Sequence, residues 1–148
     1  MCATVLWAVN QAGCTPRFRE WTKSRLGVDP EPSRRHLEVP ELVGKTARLF
    51  TLPLQVCDCS SAVGHGRGKP DPGGPGVGDH VDWLHGLPGH SRFTSRVAVV
   101  RTWNPEETIF PAGTTRVDSA EPTDEKILLL PEENPLAIDF PAPVDWWS

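Results

Sequence analysis

The chain contains no tyrosine, a single methionine and only four lysines against eleven arginines in 148 residues. It also lacks long hydrophobic runs. No stretch approaches the roughly 18 to 20 continuous apolar residues that a membrane span needs. Met1–Val9 has no basic start, and its apolar run is too short for a secretory signal. These absences predict a cytoplasmic protein with no membrane association. There thiols stay reduced, so the four cysteines read as ligands, reactive thiols or buried apolar residues before disulfides. A basic stripe of the kind that neutralises phosphates is missing too. Net charge is −4 and, apart from Arg34-Arg35-His36, the cations are dispersed, which predicts no nucleic-acid partner. No repeat of 20 to 50 residues and no heptad pattern is present, which excludes solenoids and coiled coils.

What the chain has in excess is proline (16) and glycine (13), which imply many turns and much irregular backbone. Six tryptophans supply large apolar surfaces, each with one N–H to satisfy, and suit core anchors or a binding surface. The expected fold class is α+β. A mixed or mostly antiparallel sheet of about five strands carries one main helix, a long Gly/Pro-rich loop and a Pro-rich C-terminal strap. Residues 1–130 form the domain, and 131–148 form the Pro/Trp-rich tail.

Thr4–Val9 reads as a buried strand closed by a turn at Asn10–Gly13. Thr15-Pro16 then opens the clearest helix, with a hydroxyl cap and proline at the first helical position. Phe18, Trp21, Arg25 and Leu26 share one face, and Gly27 supplies the stop. Residues 29–36 read as loop, and Pro40 opens a second short helix. From Ala47 the chain is extended, with Pro53 forcing an edge or bulge before pairing resumes at Leu54–Cys57. Residues 60–78, dense in glycine and proline, form a loop longer than compact domains usually carry, itself a pointer to function. Asp79 caps a short helix that Gly86 and Pro88 stop. Arg96–Trp103 is the most strand-like segment. Thr108–Phe110 and Thr114–Val117 form a hairpin, and Ile127–Leu130 is another buried strand. The tail, with four prolines and the ending Asp145-Trp146-Trp147-Ser148, straps across the domain or docks on a partner.

Cys57-Asp58-Cys59 is the sharpest chemical feature. Two thiols at i and i+2 on a strand point the same way and can approach one metal ion. Cys2 and Cys14 flank the first strand, and His65 lies in the Gly-rich loop. If the strands are neighbours, Cys2, Cys57, Cys59 and His65 converge into the tetrahedral N/S set that zinc prefers. The competing interpretation makes them small buried residues on core strands. Cys2 also becomes N-terminal on removal of Met1, and its α-amine can then serve as base for its own thiol.

On that opening Met-Cys followed by a strand, the chain resembles the class II glutamine amidotransferases, which implies an N-terminal-Cys amidohydrolase-like activity. The Asn-Gly pair with which that family helps hold the oxyanion is absent, and the Gly-Asp pair present is Gly78-Asp79, far along the chain from Cys2. On Cys2, Cys57 and Cys59 it also resembles small uncharacterised bacterial proteins that open Met-Cys and carry a central Cys-x-Cys. The Gly-Phe expected after the second thiol is replaced by Ser60-Ser61. That resemblance implies three thiols acting together and no particular activity.

His80, His85 and His90 recur every five residues, a step that turns about 140° on a helix. They are therefore expected to be solvated separately. Gly64–Lys69 has the flavour of a phosphate-cradling loop, but a P-loop needs four residues between its glycines and Ser or Thr after Lys, and here Pro70 follows. Glu106-Glu107 and Glu132-Glu133 sit in exposed-looking turns, and Gly-x-Ser-x-Gly is absent. The leading expectation is a small cytosolic binding module that meets a protein partner through Trp146 and Trp147. The alternatives are a metal- or thiol-dependent protein on Cys2, Cys57, Cys59 and His65, with structural zinc ahead of catalysis, and the N-terminal-Cys enzyme.

Overall fold

The computed structural model describes residues 4–10, 14–33, 36–37, 47–52, 75–90, 96–102, 108–109, 115–118 and 134–140. Their order is β1 (Thr4–Asn10), α1 (Pro16–Leu26), β2 (Glu31–Pro32), β3 (His36–Leu37), β4 (Ala47–Thr51), α2 (Val77–His90), β5 (Arg96–Thr102), β6 (Thr108–Ile109), β7 (Thr115–Asp118) and β8 (Leu136–Asp139). Six strands form one sheet in the order β2-β4-β1-β5-β8-β7, and β3 pairs with β6 separately. All neighbours in the large sheet are antiparallel except β7 and β8, which run parallel. The fold is thus α+β on a mixed sheet, with six strands in the main sheet where about five were expected. Among the described residues, the helix expected to be short at Asp79 is α2, longer than the main helix α1.

Alternation sorts the strands onto two faces. Val5, Trp7, Val9, Phe50, Val97, Val99, Val117, Leu136 and Ile138 join the residues of both helices in the main core. Leu6, Ala8, Leu49, Ala98, Val100 and Ala137 form a smaller buried cluster on the opposite face. The centre of the sheet is therefore apolar on both sides, which is why β1 and β5 read as near-continuous apolar runs.

Local chemistry sets the ends of α1 as expected. Thr15 Oγ1 accepts the N–H of Phe18, Pro16 occupies the first turn, and Gly27 closes the helix at φ 75° with its N–H on Lys23 O. The start of α2 differs from the sequence expectation. Gly76 precedes the helix, and Asp79 on the first turn reaches back to accept its N–H at 2.8 Å, the acid half of a capping box.

The end of α2 differs as well. Gly86 and Pro88 do not stop it, and the helix runs to His90. Val81, Leu84 and Leu87 lie on one stripe and are buried, so tertiary burial carries the helix past two residues of low propensity. Gly86 serves a packing purpose. A Cβ there would lie inside the van der Waals envelope of Trp21 Cζ2, Cε2 and Cη2.

Two further expectations are corrected. Residues 108–109 and 115–118 are not a hairpin: β6 pairs with β3, and β7 with β8. The tail is not wholly a strap, because Leu136–Asp139 is an interior strand between β5 and β7, with Ala137 and Ile138 fully buried. Four residues suffice for a strand when both neighbours supply hydrogen bonds, and the flanking prolines masked that signal. Residues 31–32, read as loop, pair at the sheet edge, where Pro32 is tolerated. The helix at Pro40, the resumed pairing at 54–57, the strand at 127–130, the loop over 60–74 and the 130/131 boundary lie outside the described residues.

Gly86 and Gly89 make a paired test. Gly86→Ala gains helix propensity of about 1 kcal/mol but must displace a ring that is hydrogen-bonded in place, and overpacking costs about 1–3 kcal/mol. We expect a lower urea midpoint for Gly86→Ala. Gly89, which has open space around its Cβ position, should accept alanine with a midpoint unchanged or raised.

Candidate functional site

The two helices meet through tryptophan hydrogen bonds. Trp21 Nε1 on α1 donates to Trp83 O on α2 at 3.1 Å. Trp83 Nε1 donates to Thr22 Oγ1 at 3.0 Å, and that hydroxyl donates to Phe18 O at 2.9 Å. Trp83 is fully buried, so loss of its partner would strand an N–H at a cost of about 1–3 kcal/mol. Its ring meets Trp7 edge-on at 5.0 Å and Phe50 at 6.2 Å, while Phe50 meets Phe18 at 5.4 Å. Three of the six tryptophans thus lock α1 and α2 together and onto β1.

Histidines occupy both ends of α2. His80 is 5% exposed, and its ring lies parallel to that of Trp7, 6.2 Å away at an interplanar angle of 10°. Its Nδ1 is 2.8 Å from Gly76 O. A carbonyl only accepts, so Nδ1 carries the proton and Nε2 the lone pair. Burial pushes the His80 pKa down, against the hydrogen bond to Gly76 and the charge of Asp79, which both raise it. The expectation of three solvated histidines fails here, because His80 shares the inward stripe with Val81 and Leu84. His85 is exposed, as expected. His90, half-buried, stacks on Trp21 at 4.1 Å and 6°, and its Nδ1 lies 2.8 Å from Gly86 O. Arg25 places its guanidinium 4.7 Å from the centre of the same indole ring.

The outer side of α1 borders an open cleft of about 300 Å³ lined by Pro16, Arg19, Glu20, Lys23 and Asp29. Two cations and two carboxylates give it no net sign. At the opposite side of the sheet, Asp139 on β8 accepts from Arg96 Nε on β5 and from Arg116 Nε and Nη2 on β7, the latter two at 3.2 and 3.0 Å. Burial alone would raise the Asp139 pKa. The hydrogen bonds and charges of Arg96 and Arg116 outweigh it and hold the carboxyl below its ordinary value. Since Arg96 and Asp139 are directly opposed in the ladder and Asp118 is opposite Asp139, the two arginines also relieve a like-charge pair.

Cys2, Cys57, Cys59, His65, Trp146 and Trp147 lie outside the described residues, as do Glu106-Glu107, Glu132-Glu133 and Gly64–Lys69. Cys14 is described; it is not in a disulfide and packs against the main core. Among the described residues no group of three or more His, Cys, Asp or Glu is placed to hold a metal ion. No helix among them is long and apolar enough to cross a membrane. Sequence reasoning missed the buried histidine and the Asp139 cluster. The first was legible from His80-Val81 and Leu84 at helical spacing, whereas the second depends on strand register. No protein-family model, curated protein or solved structure matches this chain.

The Asp139 cluster has a pH signature with a definite sign. A carboxyl whose folded pKa is depressed stabilises the fold above its unfolded value and loses that contribution as pH falls through the folded one. Asp139→Asn should lower the unfolding midpoint at pH 7 and flatten the acid limb of a stability profile below about pH 4. Chemical denaturation at a series of pH values checks both.

Proposed function

We propose that the protein is a small cytosolic binding module that engages a protein partner through Trp146 and Trp147, with the Gly/Pro-rich segment 60–78 contributing to the same working surface. The observation that supports this reading is the anchoring of β8. Ala137 and Ile138 are fully buried, Phe140 is buried, and Asp139 is pinned by two arginines. The tail therefore departs from a fixed point. Trp147 is seven residues beyond Phe140, so it stays within about 25 Å of the sheet even if fully extended. Pro141 and Pro143 reduce the conformational freedom that binding would remove. Two adjacent tryptophans on a short, proline-bearing tether are the type of anchor that dominates interface energy.

The test is a comparison of wild type with Trp146→Ala/Trp147→Ala by crosslinking and quantitative affinity for any partner identified. The double variant should keep its urea midpoint and lose affinity by about 30-fold or more, the effect of losing a hot spot of about 2 kcal/mol. Equal affinity for the same partner defeats the reading.

A second reading, the metal- or thiol-dependent protein on Cys2, Cys57, Cys59 and His65, has its own support. The antiparallel register Trp7↔Phe50 puts the start of β1 and the exit of β4 at one end of the sheet. Cys2 is two residues before Thr4 and Cys57 five after Leu52, which is reach of about 7 and 17 Å. Four protein ligands would leave zinc no open position, which favours a structural site over catalysis. Under this reading the native mass exceeds the denatured mass by one zinc, and Cys57→Ser/Cys59→Ser loses the metal and melts lower. Equal masses with Met1 retained and four free thiols count against it and against an N-terminal-Cys enzyme together.

A further inference from the structure

His80 is a titratable ring built into the core at the first turn of a helix. Its ring is one wall of the aromatic cluster, parallel to Trp7 on β1, and its Nδ1–H closes on Gly76 O, whose own residue is tied to Asp79 Oδ2 through Gly76 N. The backbone N–H of His80 donates to the same carbonyl at 3.3 Å. Gly76 O therefore receives both the backbone and the side chain of one residue, and the turn Gly76–His80 is fastened through that ring.

We propose that His80 is a proton-operated latch: protonation at Nε2 expels the ring from its place against Trp7 and opens the first turn of α2. Nδ1 is already occupied as a donor, so the added proton must go to Nε2, on a ring that is almost wholly removed from water. A buried imidazolium lacks the hydration that would stabilise it, and the N-terminal end of a helix disfavours positive charge. Asp79, the charged group that faces His80 from α2, opposes the latch, but its carboxylate already holds Gly76 N. From β1 the neighbour is Trp7, which is neutral although its π face favours a cation modestly. Opening releases the ring to water together with the hydrogen bonds that converge on Gly76 O, so one proton moves a whole turn.

The sign follows from linkage. A histidine whose folded pKa is depressed leaves the fold unaffected above about pH 6.5, where both states are neutral. Below that, the open state binds a proton that the closed state refuses, and the opening constant rises by up to about tenfold per pH unit. Amide exchange followed from pH 8 to 5, corrected for intrinsic rates, reads this at His80 and Val81. Wild type should lose protection there below pH 6.5, while Val97–Val100 on β5 hold theirs. His80→Gln, which keeps an N–H donor but not the titration, should show no such pH dependence.

Equal pH dependence in wild type and His80→Gln overturns the latch. Parallel loss across β5 also overturns it, since the proton would then unfold the molecule as a whole. If the variant does not fold, the His80 ring is titrated by NMR in wild type. A pKa at or above 6.5 overturns the proposal, and a depressed one that coincides with loss of first-turn protection sustains it.

Discussion

The structure depends above all on how Trp83 is satisfied. An indole with no exposure must find an acceptor for its N–H, and here the acceptor is Thr22 on the neighbouring helix, itself held by Phe18 O. In return the Trp83 carbonyl accepts the Trp21 N–H. These reciprocal bonds fix the relative rotation of α1 and α2, while the Trp83 ring sets their distance from β1 through Trp7. The close approach then requires glycine at position 86. Gly86 inside α2 is thus a consequence of packing, and the helix is held from outside itself by its buried residues.

The second constraint is the two-sided burial of the sheet. The face with the helices carries Trp7, Val97, Val99 and Ile138, whereas the other is built on Leu49, Ala8, Ala98 and Ala137 in one row across four strands. Bulky side chains fill the face that packs against the helices, whereas three of the four residues in the opposite row are alanine. The row ends at Arg116, opposite Ala137, where charge replaces apolar packing and the edge is closed by the Arg96–Asp139–Arg116 cluster. Charge on the outermost strand is also a recognised protection against edge pairing.

The three histidines of α2 show how little residue type says about role. His80 faces the core, His85 faces solvent, and His90 lies on the indole of Trp21. Their five-residue spacing distributes them around the helix, which is why no shared site forms from them. What differs is the neighbour that tertiary packing supplies to each ring.

By itself the sequence determined the elements whose signals are local. α1 is bounded by Thr15, Pro16 and Gly27 because a hydroxyl cap, a missing N–H and an αL position act within one turn of chain. The strands at Thr4 and Arg96 were legible because they are rich in apolar, β-branched residues, and the strand at Ala47 because Leu49 and Phe50 put apolar side chains on both faces. Tertiary structure alone decided the partners: that β8 enters the sheet between β5 and β7, that β6 leaves β7 for β3, and that α2 outruns Gly86 and Pro88. It also decided that Asp139 is doubly paired. Each of these is set by contacts between residues far apart in the chain, whose free energy exceeds the local preferences that a sequence displays and leaves no periodic trace in it.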